Sequence, residues 1–400
     1  MKKFLASIIA VVLAVSGLSV ISITANAATI FISGNYEYTV NSDDTVNIAG
    51  YKGIATDITI PSQILNKNVV KISANSFYNN STLTSVKMPN TIKVVGSMAF
   101  HNCTKLSKVT LSSNLTKIGY NAFEGTTALT TITIPKTLTN SDYSIFRNSG
   151  LKTAIIENGA TAVPAALFSD ANNLTKVTIP NTVKKIGVSA FSNCTKLSSI
   201  TLPNTLTELG YNAFGGTTAL TAITIPKTVT TAGNNVFNGS ALKSAAIEKG
   251  ATAVADNLFC YAKNLTKVTI PNTVKKVGSM SFYHCVKLSS VTLPNTLTEI
   301  GYSAFNGTTA LTTITIPKTV TKAGSDVFED SGLKTATIEN GATTVADNLF
   351  SNAKNLTKVT IPNTVKKIGS MSFYGCTKLS SVTLPNTLTE IGYSAFNGTT

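Results

Sequence analysis

The sequence has little of several residue types on which enzymes and metalloproteins depend. Its 400 residues include no tryptophan, two histidines, five cysteines and a single arginine, Arg147, and only 13% of them are charged. So few histidines and cysteines argue against most metal sites and against a disulfide-dense scaffold. A hydrophobic share of 43% argues against disorder, and the net charge of +15 comes almost entirely from lysine. This composition, rich in threonine, asparagine and serine, is typical of extended β structure rather than of an enzyme.

Residues 1–27 have the pattern of a signal peptide. Two lysines precede an apolar run over 4–23, and Ala25-Asn26-Ala27 supplies the small-x-small cleavage pattern. We predict cleavage before Ala28; an uncleaved transmembrane anchor is the alternative, because the run approaches the ~20 residues that a bilayer requires. After cleavage no membrane span is expected. The exported chain would then meet extracellular proteins or glycans, such as host matrix, mucin or cell-wall polymer, and not nucleic acid.

A unit that begins with leucine repeats through most of the chain. The spacing is 22 or 23 residues, and four successive units form a 91-residue module. The opening leucines of the fourteen units are Leu83, Leu106, Leu129, Leu151, Leu174, Leu197, Leu220, Leu242, Leu265, Leu288, Leu311, Leu333, Leu356 and Leu379. One divergent unit precedes them, with Phe77 and a short insertion at 66–68. Because a unit this short cannot bury its own hydrophobic face, we predict a solenoid over residues 55–400.

Each unit, numbered from its leucine, has one hydrophobic pattern. Leu174, Val177 and Ile179 show the apolar residues at positions 1, 4 and 6, which alternate with polar ones as in a half-buried strand. Phenylalanine occupies position 18 in all fourteen units, which indicates a stacked core. We expect single helical or 3₁₀ turns just before it. Residues 28–54 differ, and the turn at 41–44 predicts an N-terminal β-hairpin cap that covers the edge of the first coil.

The unit Leu-x-x-Ile/Val-x-Ile/Leu-Pro, followed later by Ile-Gly and Ala-Phe-x-x-Cys, resembles the BspA-type leucine-rich repeat of bacterial surface proteins. Residues 174–196 match nearly every position, and the resemblance covers 83–400 and loosely 55–82. It implies a leucine-rich-repeat solenoid of the right-handed β/α superhelix class, with parallel β-strands stacked coil on coil. It also implies an exported or surface-attached protein that adheres to host or microbial ligands.

The fourth unit of each module departs from that pattern. Glu157, Glu248 and Glu339 replace the proline at position 7. We expect local irregularity in these units, or a different face.

The cysteines and histidines are predicted to have structural roles. Position 21 holds a cysteine every fourth coil, in the set Cys103, Cys194, Cys285 and Cys376. Four coils span roughly 19 Å, beyond the ~7 Å limit for a disulfide, so we expect buried thiols. Cys260 lies one coil from Cys285, and a bond between these two is left open. With His101 and His284 eight coils apart and no metal or phosphate motif, we expect no metal and no cofactor.

Positions 3 and 5 form the most informative surface. Position 5 is threonine in eleven units, position 3 carries lysines among Ser, Thr and Ala, and neither column contains a carboxylate, histidine or cysteine. The candidate ligand-binding residues are Lys108, Lys176, Thr178, Thr201, Thr224, Lys267, Thr269, Thr292, Thr315, Lys358, Thr360 and Thr383. Threonine also simply suits an exposed strand, and an ice-binding ladder is a further alternative. General acid–base chemistry on this face is not expected, because its columns offer no acid or base.

Adjacent coils place opposite charges together at position 12. Lys185 with Glu208 is one such pair, and the same pairing recurs at 276 with 299 and at 367 with 390. We expect surface ion pairs that each contribute less than about 1 kcal/mol.

Two functions from different classes fit these observations. The first is a non-enzymatic, secreted or cell-surface protein that mediates adhesion to extracellular protein or glycan ligands. The second is a structural spacer or cell-wall scaffold that displays another domain beyond residue 400. An enzymatic function would require a catalytic domain beyond that point.

Overall fold

A computed structural model describes residues 29–400, which form two compact units, one ending at Thr178 and the other comprising Ile179–Thr400. The signal peptide predicted for 1–27 lies outside the described residues and stays a prediction. Every regular element in the described range is a short β-strand, and none is a helix. The predicted helical or 3₁₀ turns are therefore not confirmed.

The first unit contains fifteen strands. They are β1 (Phe31–Ser33), β2 (Tyr36–Val40), β3 (Val46–Tyr51), β4 (Asp57–Thr59), β5 (Gln63–Ile64), β6 (Lys67–Ile72), β7 (Ser85–Lys87), β8 (Val94–Val95), β9 (Lys108–Thr110), β10 (Lys117–Ile118), β11 (Thr131–Ile134), β12 (Asn140–Ser141), β13 (Thr153–Ile156), β14 (Ala162–Val163) and β15 (Lys176–Thr178). Its sheets follow the orders β1-β2-β3-β6-β8-β10-β12, with β5 paired to β6, then β4-β7-β9 and β11-β13-β15.

The second unit repeats the same arrangement. Its strands are β16 (Lys185–Ile186), β17 (Glu208–Leu209), β18 (Ala222–Ile225), β19 (Thr231–Ala232), β20 (Ser244–Ile247), β21 (Ala253–Val254), β22 (Lys267–Thr269), β23 (Lys276–Val277), β24 (Ser290–Val291), β25 (Glu299–Ile300), β26 (Thr313–Ile316), β27 (Lys322–Ala323), β28 (Thr335–Ile338), β29 (Thr344–Val345), β30 (Lys358–Thr360), β31 (Lys367–Ile368) and β32 (Glu390–Ile391). They form the sheets β16-β17-β19, β18-β20-β22-β24, β21-β23-β25-β27, β26-β28-β30 and β29-β31-β32.

Two strand positions recur in the coils. The front strand starts at position 3 of a unit, and the second strand covers positions 12 and 13. Strands of neighbouring coils pair in parallel, as when Thr313 lies beside Thr335 and Lys276 beside Glu299. Each of the two compact units is therefore a parallel β-solenoid, as predicted. Within it, residues at the same repeat position form a column along the stack.

Stacked phenylalanine rings form the core of both units. From Phe77 to Phe168 the neighbouring ring centroids lie 4.9–6.0 Å apart. From Phe191 to Phe396 they lie 5.1–5.8 Å apart, with interplanar angles of 7–22°. The rings from Phe100 to Phe350 are fully buried. Within each unit, this confirms the stacked phenylalanine core expected from position 18.

The turn around each phenylalanine explains why no helix forms. Positions 16 and 20 have positive φ in all fourteen units, with values of 49–61° and 50–79°. In one such turn the amides of Ser303, Phe305 and Gly307 donate to carbonyls of the next coil, at 3.1, 2.9 and 2.9 Å. The amides between them close local i→i−3 turns. Left-handed residues on both sides of the ring cannot join a right-handed helix, so the turn bonds coil to coil as a strand does.

An antiparallel hairpin of β2 and β3 begins the first unit, extended by β1 on its outer side. β3 then pairs in parallel with β6, so the hairpin covers the edge of the first coil. The insertion at 66–68 belongs to a second hairpin, in which β5 pairs with β6 and the turn residues Leu65 and Asn66 have positive φ.

The fourth units are more regular than expected. Their front strands β13, β20 and β28 have four residues each, among the longest in their sheets. Where a proline cannot donate to the ladder, the Glu157, Glu248 and Glu339 amides each donate to the preceding coil at 2.9 Å. The expected irregularity is therefore wrong for these units. Front-strand pairing is instead lost in two of the second repeats of a module, where 199–202 and 381–384 form no strand.

Candidate binding face

The structure places all twelve candidate ligand-binding residues on the exposed surface. Nine of them lie on the front strands β9, β15, β18, β22, β26 and β30, whose intervening valines and isoleucines point into the unit. Of the other three, Thr292 directly follows β24, and Thr201 and Thr383 lie in front segments that form no strand. We call positions 3 and 5 of the front segments the strand face.

Parallel pairing brings some of these residues side by side. Thr224 and Thr269 flank Ala246 on three successive strands, and Thr315, Thr337 and Thr360 form an unbroken row of threonines. The side-chain hydroxyls in these rows make no hydrogen bond to other described residues, whereas Thr266 Oγ1, before β22, donates to the Lys243 carbonyl at 2.9 Å. The strand face therefore offers hydroxyl groups that are not used by the fold.

Two similar grooves open on the strand face of the second compact unit, residues 179–400. Groove 1, of about 570 Å³, lies over 199–204, 222–226 and 244–248, and Lys267 and Thr269 complete its wall. Groove 2, of about 440 Å³, is lined by twelve residues from Ser290 to Glu339, each 91 positions after a residue of groove 1; the counterparts of Lys267 and Thr269 do not line it. One wall of each groove is the front segment of the second repeat in a module, and this segment has little or no strand pairing. Each groove thus spans at least three coils and repeats with the module.

A carboxylate lines each groove, which corrects the expectation that this face has none. Glu248 lies in groove 1 and Glu339 in groove 2. Their Oε2 atoms each accept a hydrogen bond at 2.9 Å from a backbone amide of the preceding coil, that of Lys227 or Lys318. These glutamates stand at position 7, outside the columns at positions 3 and 5, and the replacement of proline at position 7 is the sequence signal that points to them.

The first unit carries a smaller groove with a different acid. Asp57, at position 3 of the divergent unit, lies with Lys87 and Lys108 around a volume of about 250 Å³. Its carboxylate accepts hydrogen bonds from the Ser85 and Thr84 hydroxyls. The Ser85 hydrogen bond, followed by that of Thr84, lowers the pKa of Asp57, so this carboxylate is ionised at neutral pH.

The cysteines are all buried, as expected. Cys260 and Cys285 are not joined by a disulfide, so the bond left open above does not form. Burial raises the pKa of Cys260 to about 11 and of Cys103 and Cys376 to about 12. These thiols therefore stay protonated and unreactive at neutral pH.

The histidines pack against tyrosines. His101 stacks on Tyr78 at 5.0 Å in the first unit, and His284 stacks on Tyr261 at 5.3 Å in the second. Among residues 29–400 no group of three or more His, Cys, Asp or Glu side chains could hold a metal ion.

The predicted ion pairs at position 12 are present. Lys185, Lys276 and Lys367 contact the glutamate of the next coil at 2.8, 2.9 and 2.8 Å. Their side chains are 45–49% exposed, so solvent screening keeps each contribution small. The hydrogen bond to the partner glutamate raises the pKa of Lys276 and of Lys367.

Parallel coils, an initial leucine and a phenylalanine core define a leucine-rich-repeat solenoid. The model of the BspA-type leucine-rich-repeat region matches residues 55–175, 161–288 and 275–400, and the chain belongs to this family. Proteins with this repeat are typically bacterial cell-surface proteins without enzymatic activity. The part of the chain that the structure describes contains no helix able to cross a membrane.

Several solved bacterial structures are similar to the chain. A leucine-rich cell surface protein of Faecalibacterium prausnitzii is 27% identical, with 93% of this chain and 96% of that one covered and a TM-score of 0.42. A leucine-rich-repeat protein of Bacteroides ovatus is 24% identical, with 92% of each chain covered and a TM-score of 0.45. The pneumococcal vaccine antigen PcpA is 20% identical, covering 92% and 94%, with a TM-score of 0.40. Comparison with curated proteins gives no significant match.

Proposed function

We propose that this protein is exported, acts without catalysis, and binds extracellular protein or glycan ligands through the strand face. The observation that carries the proposal is the pair of equivalent grooves, whose walls present unused threonine hydroxyls above a buried hydrophobic layer. The signal-peptide pattern of residues 1–27 and the family's usual location at the bacterial surface support export.

The chemistry of the grooves favours binding over catalysis. Glycoside hydrolysis commonly uses two carboxyl groups that flank the scissile bond, and each groove contains one. Both Glu248 and Glu339 already bind a backbone amide, which holds them in place as structural groups.

Repetition of the groove favours long or repetitive ligands. Grooves 1 and 2 share twelve equivalent lining positions 91 residues apart, so one extended polymer or two linked epitopes would meet largely the same chemistry twice. Linking two weak sites raises the overall affinity by about 10²–10⁴ when both are occupied together. A surface protein can therefore adhere firmly through shallow grooves.

Blocking the grooves tests this proposal. The double variant Thr224→Tyr/Thr315→Tyr places a bulky uncharged side chain in each groove, and Thr230→Tyr/Thr321→Tyr adds the same side chain beside the second strands β19 and β27. Immobilised matrix proteins, mucin and cell-wall polymers should retain the wild type and the control, while the groove variant should lose binding.

Two results would contradict the proposal. The first is no retention on any of these ligands. The second is equal binding of the groove variant and the control, which would place the contact elsewhere. A spacer, the alternative function, predicts that deleting one 91-residue module leaves ligand affinity unchanged.

A further inference from the structure

We propose that the strand face recognises a linear polyanion whose repeat units also carry hydroxyl groups, through pairs of lysines that recur with the module. The pairs are Lys243 with Lys267 and Lys334 with Lys358 in the second unit, and Lys152 with Lys176 in the first. This inference rests on the proposed function and names the chemical class of its ligand. Only three of these six lysines belong to the position 3 column; the others stand at position 2 of the fourth units.

The backbone fixes the two lysines of each pair on neighbouring coils. The carbonyl of Lys243 accepts hydrogen bonds from the Thr266 amide at 2.9 Å, the Thr266 hydroxyl at 2.9 Å and the Lys267 amide at 3.2 Å. Lys334 accepts the same three bonds from Thr357 and Lys358, at 2.9, 3.0 and 3.2 Å. The two pairs therefore have the same backbone geometry.

In the first unit the Lys152 carbonyl again accepts the same three bonds, from Thr175 and Lys176, at 2.9, 3.0 and 3.1 Å. In each pair the position 3 lysine lies opposite the residue that follows the position 2 lysine, as Lys176 lies opposite Thr153. Because adjacent parallel strands are about 4.8 Å apart, the two lysines start from neighbouring backbone positions at the beginning of the front segments.

These charges have no acidic partner among residues 29–400. All six lysines are exposed, and none forms an ion pair with another described residue. Three lysines at position 12, Lys185, Lys276 and Lys367, in contrast form ion pairs with glutamates of the next coil. Glu248 lies five residues after Lys243, roughly 16 Å along an extended backbone, and its carboxylate is bound to the Lys227 amide.

The spacing suits an extended polymer. In the second unit the two lysine pairs lie four coils apart, which corresponds to roughly 19 Å between parallel strands. Groove 2 begins between the two pairs, at Ser290, and extends to the coil of Lys334. The threonine row of β26, β28 and β30 continues from there across the second pair. A chain with anionic groups for the lysines and hydroxyl groups for the threonines would contact both. Sulfated or uronic-acid polysaccharides and polyol-phosphate polymers share this chemistry.

The experiment compares two variants with the same change in net charge. The lysine-pair variant is K243S/K267S/K334S/K358S, and the control K93S/K184S/K275S/K366S removes four exposed lysines at position 11, next to the second strands. Binding of the full chain to heparin, polyuronate and poly(glycerol phosphate) is measured by fluorescence anisotropy at several salt concentrations. The three polymers distinguish sulfate, carboxylate and phosphate sources.

We expect at least one of these polymers to bind, and the lysine-pair variant to bind it at least about 10-fold more weakly while the control stays within about twofold of the wild type. The slope of log affinity against log salt should fall in magnitude by about 3 for four lost contacts. Oligomers longer than about 19 Å should bind at least about 10-fold more tightly than shorter ones, because they reach both pairs.

Other outcomes overturn the inference. These are an equal loss in the control variant, absence of a length threshold, or equally tight binding of single-stranded DNA or polyglutamate, which lack the hydroxyl-bearing anionic repeat. A neutral glycan or a protein that binds through Thr224 and Thr315 but is unaffected by the lysine variants would refute the polyanion and leave the proposed function intact.

Discussion

The phenylalanine core makes a prediction whose size follows from the structure. The Phe305 ring is fully buried and stacks on Phe282 at 5.1 Å and on Phe328 at 5.5 Å. Phe305→Ala therefore removes contacts to both neighbouring coils and leaves a cavity between two rings. Substitutions of this kind cost about 3–5 kcal/mol. Because a solenoid is stabilised mainly by interfaces between neighbouring repeats, the loss should weaken the second unit on both sides of the altered coil.

Urea unfolding followed by circular dichroism measures this effect. With a slope of about 2–3 kcal/mol per molar urea, the midpoint of the affected transition should fall by about 1–2 M. Tyr302→Ala is the matched control, because Tyr302 lies in the same turn but is 50% exposed, and it should change stability by less than about 1 kcal/mol. If Phe305→Ala and Tyr302→Ala shifted the midpoint equally, the stacked rings would not be the main source of stability.

Three further predictions concern backbone strain, pH and the position 7 glutamates. Met371 has φ of 53° and is 36% exposed, so Met371→Gly should raise the free energy of unfolding by about 0.5–1 kcal/mol in urea titrations, and Met371→Val should lower it. Burial raises the pKa of Cys103 and Cys376 to about 12; the folded protein therefore holds these protons more tightly than the unfolded chain. The raised thiol pKa values stabilise the folded protein below about pH 9, and this contribution to the free energy of unfolding is lost between about pH 9 and 12. The double variant Cys103→Ala/Cys376→Ala should therefore flatten that part of the curve of stability against pH. Glu339→Ala should lower stability by about 1 kcal/mol through loss of the Lys318 amide bond, while Glu339→Gln, which keeps an acceptor, should stay near the wild type in thermal melts.

The repeat and its core could be predicted from the sequence because they depend on side chains with a fixed period. A leucine at position 1 and a phenylalanine at position 18, repeated fourteen times, leave few alternatives to a stacked solenoid. The ion pair between Lys276 and Glu299 follows in the same way, since equal positions of adjacent coils become neighbours.

The turns could not be predicted in this way, because their conformation depends on the next coil. Ser, Met and Ala at position 16 do not signal a left-handed residue, yet Ser303 and Met280 adopt one and their amides donate to the following turn. A local pattern such as Ser-Ala-Phe is compatible with a helical turn, and only the hydrogen bonds between coils exclude it. The Glu248 carboxylate was missed for a similar reason: its role appears only when the Lys227 amide of the preceding coil is placed beside it.

The pairing of each residue with the one 22 or 23 positions later has a consequence for chain length. Adding or removing 91 residues returns every hydrogen-bond donor and acceptor to an equivalent partner, and returns each phenylalanine to an equivalent neighbour. A change of a few residues inside a front strand would instead misalign all subsequent columns. Length variants that fold should therefore differ by complete repeats, and each added 91-residue module should add one groove.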